Sequence, residues 1–91
     1  MRVEWDERKA EANAKKHGVT FEEVVTALMD AHAITLVDEA VSGEERDVTV
    51  GHSVRNRLLL VVHTERESGA LRVISARRAT PKERKVYEEG I

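Results

Sequence analysis

Two apolar runs of β type, Leu58 to Thr64 and Leu71 to Arg78, lie close together in the chain, and Glu67-Ser68-Gly69-Ala70 turns one back toward the other. Leucine and valine dominate the first run, the second carries Leu71, Val73 and Ile74, and a Ser-Gly step between such runs marks a hairpin. A chain built around this pair must form a sheet. With 91 residues there is room for one modest core, so residues 1–91 are expected to form one domain. The second run leads directly into Arg77-Arg78, just ahead of Thr80-Pro81 and Glu83. A threonine cap, a proline at the first helical position and a glutamate at the third predict a final helix, short because only Val86 and Tyr87 give it apolar content.

The rest of the chain changes period along its length. Met1 to Trp5 reads as a short strand. Asp6 is an N-cap with Glu7 in the first turn, and the helix it opens runs to about His17, where Gly18 supplies a left-handed stop. Thr20 and Glu23 form a capping-box pattern, and Phe21, Val24, Val25 and Leu28 recur at helical spacing behind it. From Ala31 to Val37 the chain is β-compatible, Ser42-Gly43-Glu44-Glu45 is a turn, and Asp47 to Ser53 alternates with Val48 and Val50 on one face. Arg55-Asn56 is a hairpin turn, asparagine tolerating positive φ. The resulting order, β-α-α-β-β-β-β-α, predicts an α+β fold: an antiparallel sheet with helices packed mainly on one face.

Turn length sets the strand register. If Glu67 pairs with Ala70, Glu65 faces Arg72, His63 faces Ile74 and Leu59 faces Arg78. Leu59, Val61, His63, Glu65, Arg72, Ile74, Ala76 and Arg78 then share one face, and Leu71, Val73 and Arg77 lie on the other. A two-residue turn at Arg55-Asn56 adds Val48, Val50 and His52 to the His63 face. Arg77 and Arg78 point to opposite faces at the strand's end.

Charge and composition narrow the chemistry. Cysteine is absent, which excludes disulfides and thiolate metal sites and fits a reducing compartment. The start lacks the apolar run of a signal peptide, and Leu58 to Val62 is too short to cross a bilayer, so a cytoplasmic protein is expected. Residues 1–47 carry six Lys/Arg against twelve Asp/Glu, a net of −6, whereas residues 48–91 carry nine against five, a net of +4. This asymmetry suggests one face for an anion and another for a cation; the competing reading is ordinary charge scatter on solvated faces. Arginine suits a phosphodiester, because its planar fork stays charged and donates parallel hydrogen bonds. The alternative for either Arg77 or Arg78 is an ion pair with a helix carboxylate such as Glu22 or Glu83.

His63 with Glu65 places an imidazole and a carboxylate on one side of a strand, a candidate for proton transfer; the competing reading is a half-buried structural histidine. His52 is a weaker version of the same case, His17 reads as packing or capping, and His32 has no evident partner. Without His-x-x-x-His or His-x-His spacing no metal site is expected, and no Gly-rich phosphate loop is present. Trp5 can stack on a base or close the core between the first strand and the helices.

Glu4-Trp5-Asp6, Asn13, Lys16-His17-Gly18-Val19 and Phe21-Glu22-Glu23 are followed in order by Glu45-Arg46, Val50-Gly51, Leu59 to Thr64, Ile74 to Thr80, Lys82-Glu83-Arg84 and Tyr87-Glu88. This ordered set resembles the BrnT toxin family along nearly the whole chain. The resemblance implies a RelE-like fold and a small ribonuclease that halts translation by cutting RNA. It also implies a cognate BrnA-like antitoxin with a ribbon-helix-helix DNA-binding part, and repression of the shared operon by the complex, which reaches operator DNA only through the antitoxin. No cofactor and no membrane are implied. The Ser75-Ala76-Arg77-Arg78 segment is where the family suggests toxicity-bearing arginines. The candidate catalytic set is therefore Arg77, Arg78, His63 and Glu65, with Trp5, Lys16, Arg55 and Arg72 as candidate RNA contacts. The rival is a non-catalytic or degenerate module whose basic half docks an acidic partner or nucleic acid.

Overall fold

The computed structural model describes residues 1–38 and 46–90. The turn expected at Ser42-Gly43-Glu44-Glu45 lies outside the described residues. The elements follow the expected order: β1 (Val3–Glu4), α1 (Glu7–His17), α2 (Phe21–Leu28), β2 (Ile34–Asp38), β3 (Arg46–His52), β4 (Leu58–Glu65), β5 (Leu71–Arg78) and α3 (Pro81–Glu89). They form an α+β fold with one five-stranded sheet in the order β1-β5-β4-β3-β2. The sheet is mixed: β1 runs parallel to β5 through Val3↔Leu71 and Glu4↔Arg72, and every other pairing is antiparallel.

The helix ends are set locally as the sequence indicates. Asp6 accepts the backbone N–H of Arg8 at 2.8 Å, and Gly18 closes α1 at φ 68°. α1 and α2 cover one face of the sheet. Val19, Phe21, Val24 and Ala27 meet Leu59, Val61, Val73 and Ala76 there in a single buried cluster. α2 approaches β3 so closely that a Cβ on Gly51 would stand 2.3 Å from the Ala27 carbonyl oxygen, which is why a glycine interrupts that strand. α3 lies on the other side, and none of its residues is buried. The Tyr87 hydroxyl ties it down by donating to Asp30 at 2.6 Å, and the Tyr87 ring stacks on His52. The bond to Asp30 pushes the Tyr87 phenol up to about 12.

The register departs from expectation in a compensating way. The hairpin between β4 and β5 has a three-residue loop: Arg66 accepts the Gly69 N–H and pairs with Ala70, with Gly69 at φ 85°. Glu65 therefore faces Leu71, and His63 faces Val73 rather than Ile74. A bulge at Val62/His63, with Ile74 as the extra residue, then restores the count, so that Leu59 does face Arg78. Val73 and Leu71 consequently join the α1/α2 face, and Arg72 crosses to the other, beside Glu4. The β3–β4 loop errs in the same sense. Ser53 pairs with Arg57 around Val54-Arg55-Asn56, with Asn56 at φ 60°, so Asp47 rather than Val48 faces His63. Val48, Val50 and His52 thus lie on the face opposite His63.

Candidate nucleic-acid interface

The C-terminal end of β5 carries Arg77 and Arg78, with Arg55 and Arg57 in the adjoining β3–β4 loop. Arg78, opposite Leu59, sits on the α1/α2 face and is exposed. Next to it the Ala79 N–H donates to the Leu58 carbonyl at 2.9 Å, which fixes where the strand leaves the sheet. Arg57, just before Leu58, reaches the end of α1 by donating to the Gly18 carbonyl at 3.0 Å. That contact brings the end of α1, at Gly18, beside Arg57 and the β3–β4 loop that carries Arg55. α1 is also locked against β5 directly. Asn13, itself buried, donates to the Ala76 carbonyl at 2.8 Å and accepts the Ala76 N–H at 3.0 Å, sealing a strand edge that β1 leaves uncovered. Lys9, Lys16 and His17 line a shallow groove beside Ile74 and Ser75 on this edge.

The two adjacent arginines have different roles in the fold. Arg77, on the opposite face, donates from both terminal nitrogens to the Glu83 carboxylate at 2.8 Å each and to the Arg78 carbonyl at 3.1 Å. Those hydrogen bonds hold the Glu83 carboxyl below its usual range against the opposing effect of burial, and raise Arg77 in turn. This is the carboxylate pairing that the sequence offers as the alternative for one arginine. Arg78 makes no ion pair among the described residues.

Beneath the rim is a buried carboxylate that sequence reasoning identifies only as a cap. Glu23 accepts from Arg57 Nε at 2.9 Å, from Arg57 Nη2, and from the Ser53 hydroxyl at 2.7 Å. The Arg57 guanidinium, helped by Ser53, holds the Glu23 carboxyl below its usual range although burial opposes it. Exposed Arg55 stands 3.9 Å from the same carboxylate. Nothing local in the sequence marks Arg57 as its partner, since the two are brought together by a loop 34 residues away.

The other candidates lie at the far end or in the core. His63 is four residues along β4 from Leu59, about 13 Å from the Arg78 position, and Glu65 about 20 Å. His63 is buried, its Nε2 is 2.7 Å from Thr49 Oγ1, and Thr49 in turn is 2.7 Å from Thr35 Oγ1. Burial pushes its imidazole below the ordinary histidine value, only partly opposed by the nearby Asp47 charge. It is a neutral link in a polar ladder across three strands. Arg72 stands 3.7 Å from Glu4 at the parallel edge, and Trp5 meets Phe21 edge-on at 5.8 Å while its indole N–H donates to Glu7 at 3.0 Å. Of the eight sequence candidates, Arg77, Arg78 and Arg55 gather at one end of the sheet; Lys16 lies along the β5 edge beside Ile74 and Ser75, and His63, Glu65, Arg72 and Trp5 do not join them. Among the described residues no three His, Asp or Glu side chains converge as a metal-binding group would.

The chain falls in the class of ribonuclease toxins of type II toxin–antitoxin systems: residues 5–83 fit the family described as "Ribonuclease toxin, BrnT, of type II toxin-antitoxin system". The chain belongs to this BrnT family. The crystal structure of the Brucella abortus ribonuclease toxin BrnT is similar, with 29% sequence identity and a TM-score of 0.69, over 88% of this chain and 97% of that one. None of the curated proteins matches the chain.

Proposed function

We propose that the protein cuts RNA at the C-terminal end of β5, with Arg78 as the residue that binds the scissile phosphate. One observation carries this reading: Arg78 is an exposed guanidinium without an ion-pair partner among the described residues, on a rim shared with Arg55 and Arg57 and with Lys16 along the adjoining β5 edge, whereas Arg77 is committed to Glu83. In the proposed step the ribose 2′-oxygen attacks the adjacent phosphorus. The 2′-O–P bond forms, the bond to the 5′-oxygen breaks, and the protons exchange with water at this open rim. Negative charge builds on the non-bridging oxygens, where a fixed guanidinium stabilises it without a metal. Lys16 and Arg55 hold the flanking phosphates and so set the in-line geometry. Arg77 acts as a positioning residue, bracing the strand end from the opposite face. The cognate antitoxin is proposed to be of BrnA type, with a ribbon-helix-helix part through which the complex represses its own operon.

Arg78→Ala tests this directly. RNA cleavage and growth arrest are expected to fall by about 10²–10³-fold, the loss seen when one transition-state donor is removed. The unfolding free energy should stay within about 0.5 kcal/mol of the parent. A fully toxic Arg78→Ala protein would sink the assignment.

A further inference from the structure

The sheet face opposite α1 and α2 is too apolar for the cover it has. β4 is apolar at five consecutive positions, Leu58 to Val62, the pattern of a strand buried on both faces rather than one with a solvated side. Leu59 and Val61 are covered by α1 and α2, but Leu60 and Val62 are only half-buried. They continue into half-buried Val48 on β3 and into Leu36 on the edge strand β2, which is 49% exposed. α3 spans only one end of this strip. Between Val86 and the sheet remains an open groove of about 500 Å³, closed at that end by the Arg77–Glu83 pair.

The other end of the strip reaches Arg46, whose register partner on β2 is Asp38. Arg46 is two residues from Val48 on the same strand and therefore on the same face. Its Nε is buried and, among the described residues, has no hydrogen-bond partner. An unpaired buried donor beside an open apolar strip is a position that an incoming carboxylate would satisfy. A second copy of this chain fits poorly, because the one carboxylate lining the groove, Glu83, is already held by both terminal nitrogens of Arg77 and is not free to meet Arg46.

We propose that this face is where the cognate antitoxin docks, through an apolar segment flanked by acidic residues. The apolar side chains would fill the strip over Leu36, Val48, Leu60 and Val62, and a carboxylate would meet Arg46. The proposal rests on membership of a toxin–antitoxin family and not on Arg78 cutting RNA. It places the antitoxin on the opposite face from the proposed RNA rim, with Arg77 and Glu83 as the wall shared between them.

The test measures the affinity of the purified cognate antitoxin for the full-length toxin and for its Leu36→Glu and Arg46→Glu variants, alongside RNA cleavage by each free toxin. Leu36→Glu should weaken binding by about a hundredfold and Arg46→Glu by about tenfold, with cleavage by the free toxin unchanged. Parental affinity in both variants would overturn the proposal, as would a toxin dimer that Leu36→Glu breaks. If Leu36→Glu fails to fold, radical footprinting of the parent complex gives the same answer. Leu36 and Val62 should be protected by antitoxin, and unchanged labelling of both would overturn the proposal. An RNA reading that failed would show as an inactive Arg78-bearing parent, and would leave these affinities intact.

Discussion

α2 and α3 open on the same local signature, a threonine cap with a glutamate three residues on, and in both the glutamate meets an arginine: Arg57 from the β3–β4 loop and Arg77 from the end of β5. The two junctions are nevertheless built differently. Thr20 accepts the Glu23 N–H at 3.1 Å, but the Glu23 carboxylate turns away from the cap toward Arg57 and Ser53, with 2% of its side chain exposed. Glu83 completes its capping box by accepting the Thr80 N–H at 2.9 Å while also holding Arg77, and 24% of its side chain remains exposed. One motif thus makes a buried anchor at one helix and a surface clasp at the other. A buried pair is costly to break because the surviving charge has no water to return to, whereas a surface pair gives its charge back to solvent.

The sharpest way to break the comparison is to remove each arginine. Arg57→Ala leaves the buried Glu23 carboxylate with only the Ser53 hydroxyl and exposed Arg55 at 3.9 Å, and should cost about 3 kcal/mol, measured by urea unfolding. Replacing both partners, Arg57→Met with Glu23→Leu, should recover most of that loss, because no charge is left stranded. A single-variant cost near that of an ordinary surface change would mean that the two junctions are equivalent after all. Arg77→Ala should cost about 1 kcal/mol, since its side chain is already 39% exposed and Glu83 keeps its bonds to Thr80. The same variant separates the neighbouring arginines. Arg77→Ala should retain most RNA cleavage where Arg78→Ala loses it, and an equal loss in both would return Arg77 to the catalytic set.

Most of the fold was legible because local signals agreed with one another. Asp6, Gly18, Thr20 and the Thr80-Pro81-Glu83 group each end or start a helix for reasons carried within a few residues. The strands were legible as apolar runs. What a sequence of this kind conceals is the count of residues in a turn. Gly69 and Asn56 each supply a left-handed residue as the third member of a loop, and either loop reads equally well as a two-residue turn. Each misreading slips the register by one and exchanges the faces. At β4–β5 the bulge at Val62/His63 cancels the slip before it reaches Arg78; at β3–β4 nothing cancels it, and Val48 and Val50 change face. The candidate site was legible in the same proportion. Arg78 at a strand end follows from local pattern, whereas the Arg57–Glu23 pair and the distance of His63 from the rim depend on tertiary placement that no spacing encodes.

Acid titration probes the smallest of these differences. Burial lowers the folded pKa of His63 below its ordinary 6.5, so the unfolded chain binds a proton there before the native protein does. Stability is therefore full above about pH 6.5 and declines as pH falls toward the depressed folded value, by at most about 1.4 kcal/mol per pH unit for a single proton. Glu23 and Glu83 act in a lower window. Both carboxyls are held below their ordinary 4.5, so their contributions persist above that pH and are lost as it falls through the folded values. His63→Gln keeps a polar atom near Thr49 and should flatten the upper window while leaving the lower one in place. Stability measured from pH 7 to 3 by denaturant unfolding reads both. An upper window that persists unchanged in His63→Gln would mean that the Thr35–Thr49–His63 ladder is not the neutral, buried element that separates the core end of the sheet from its cationic rim.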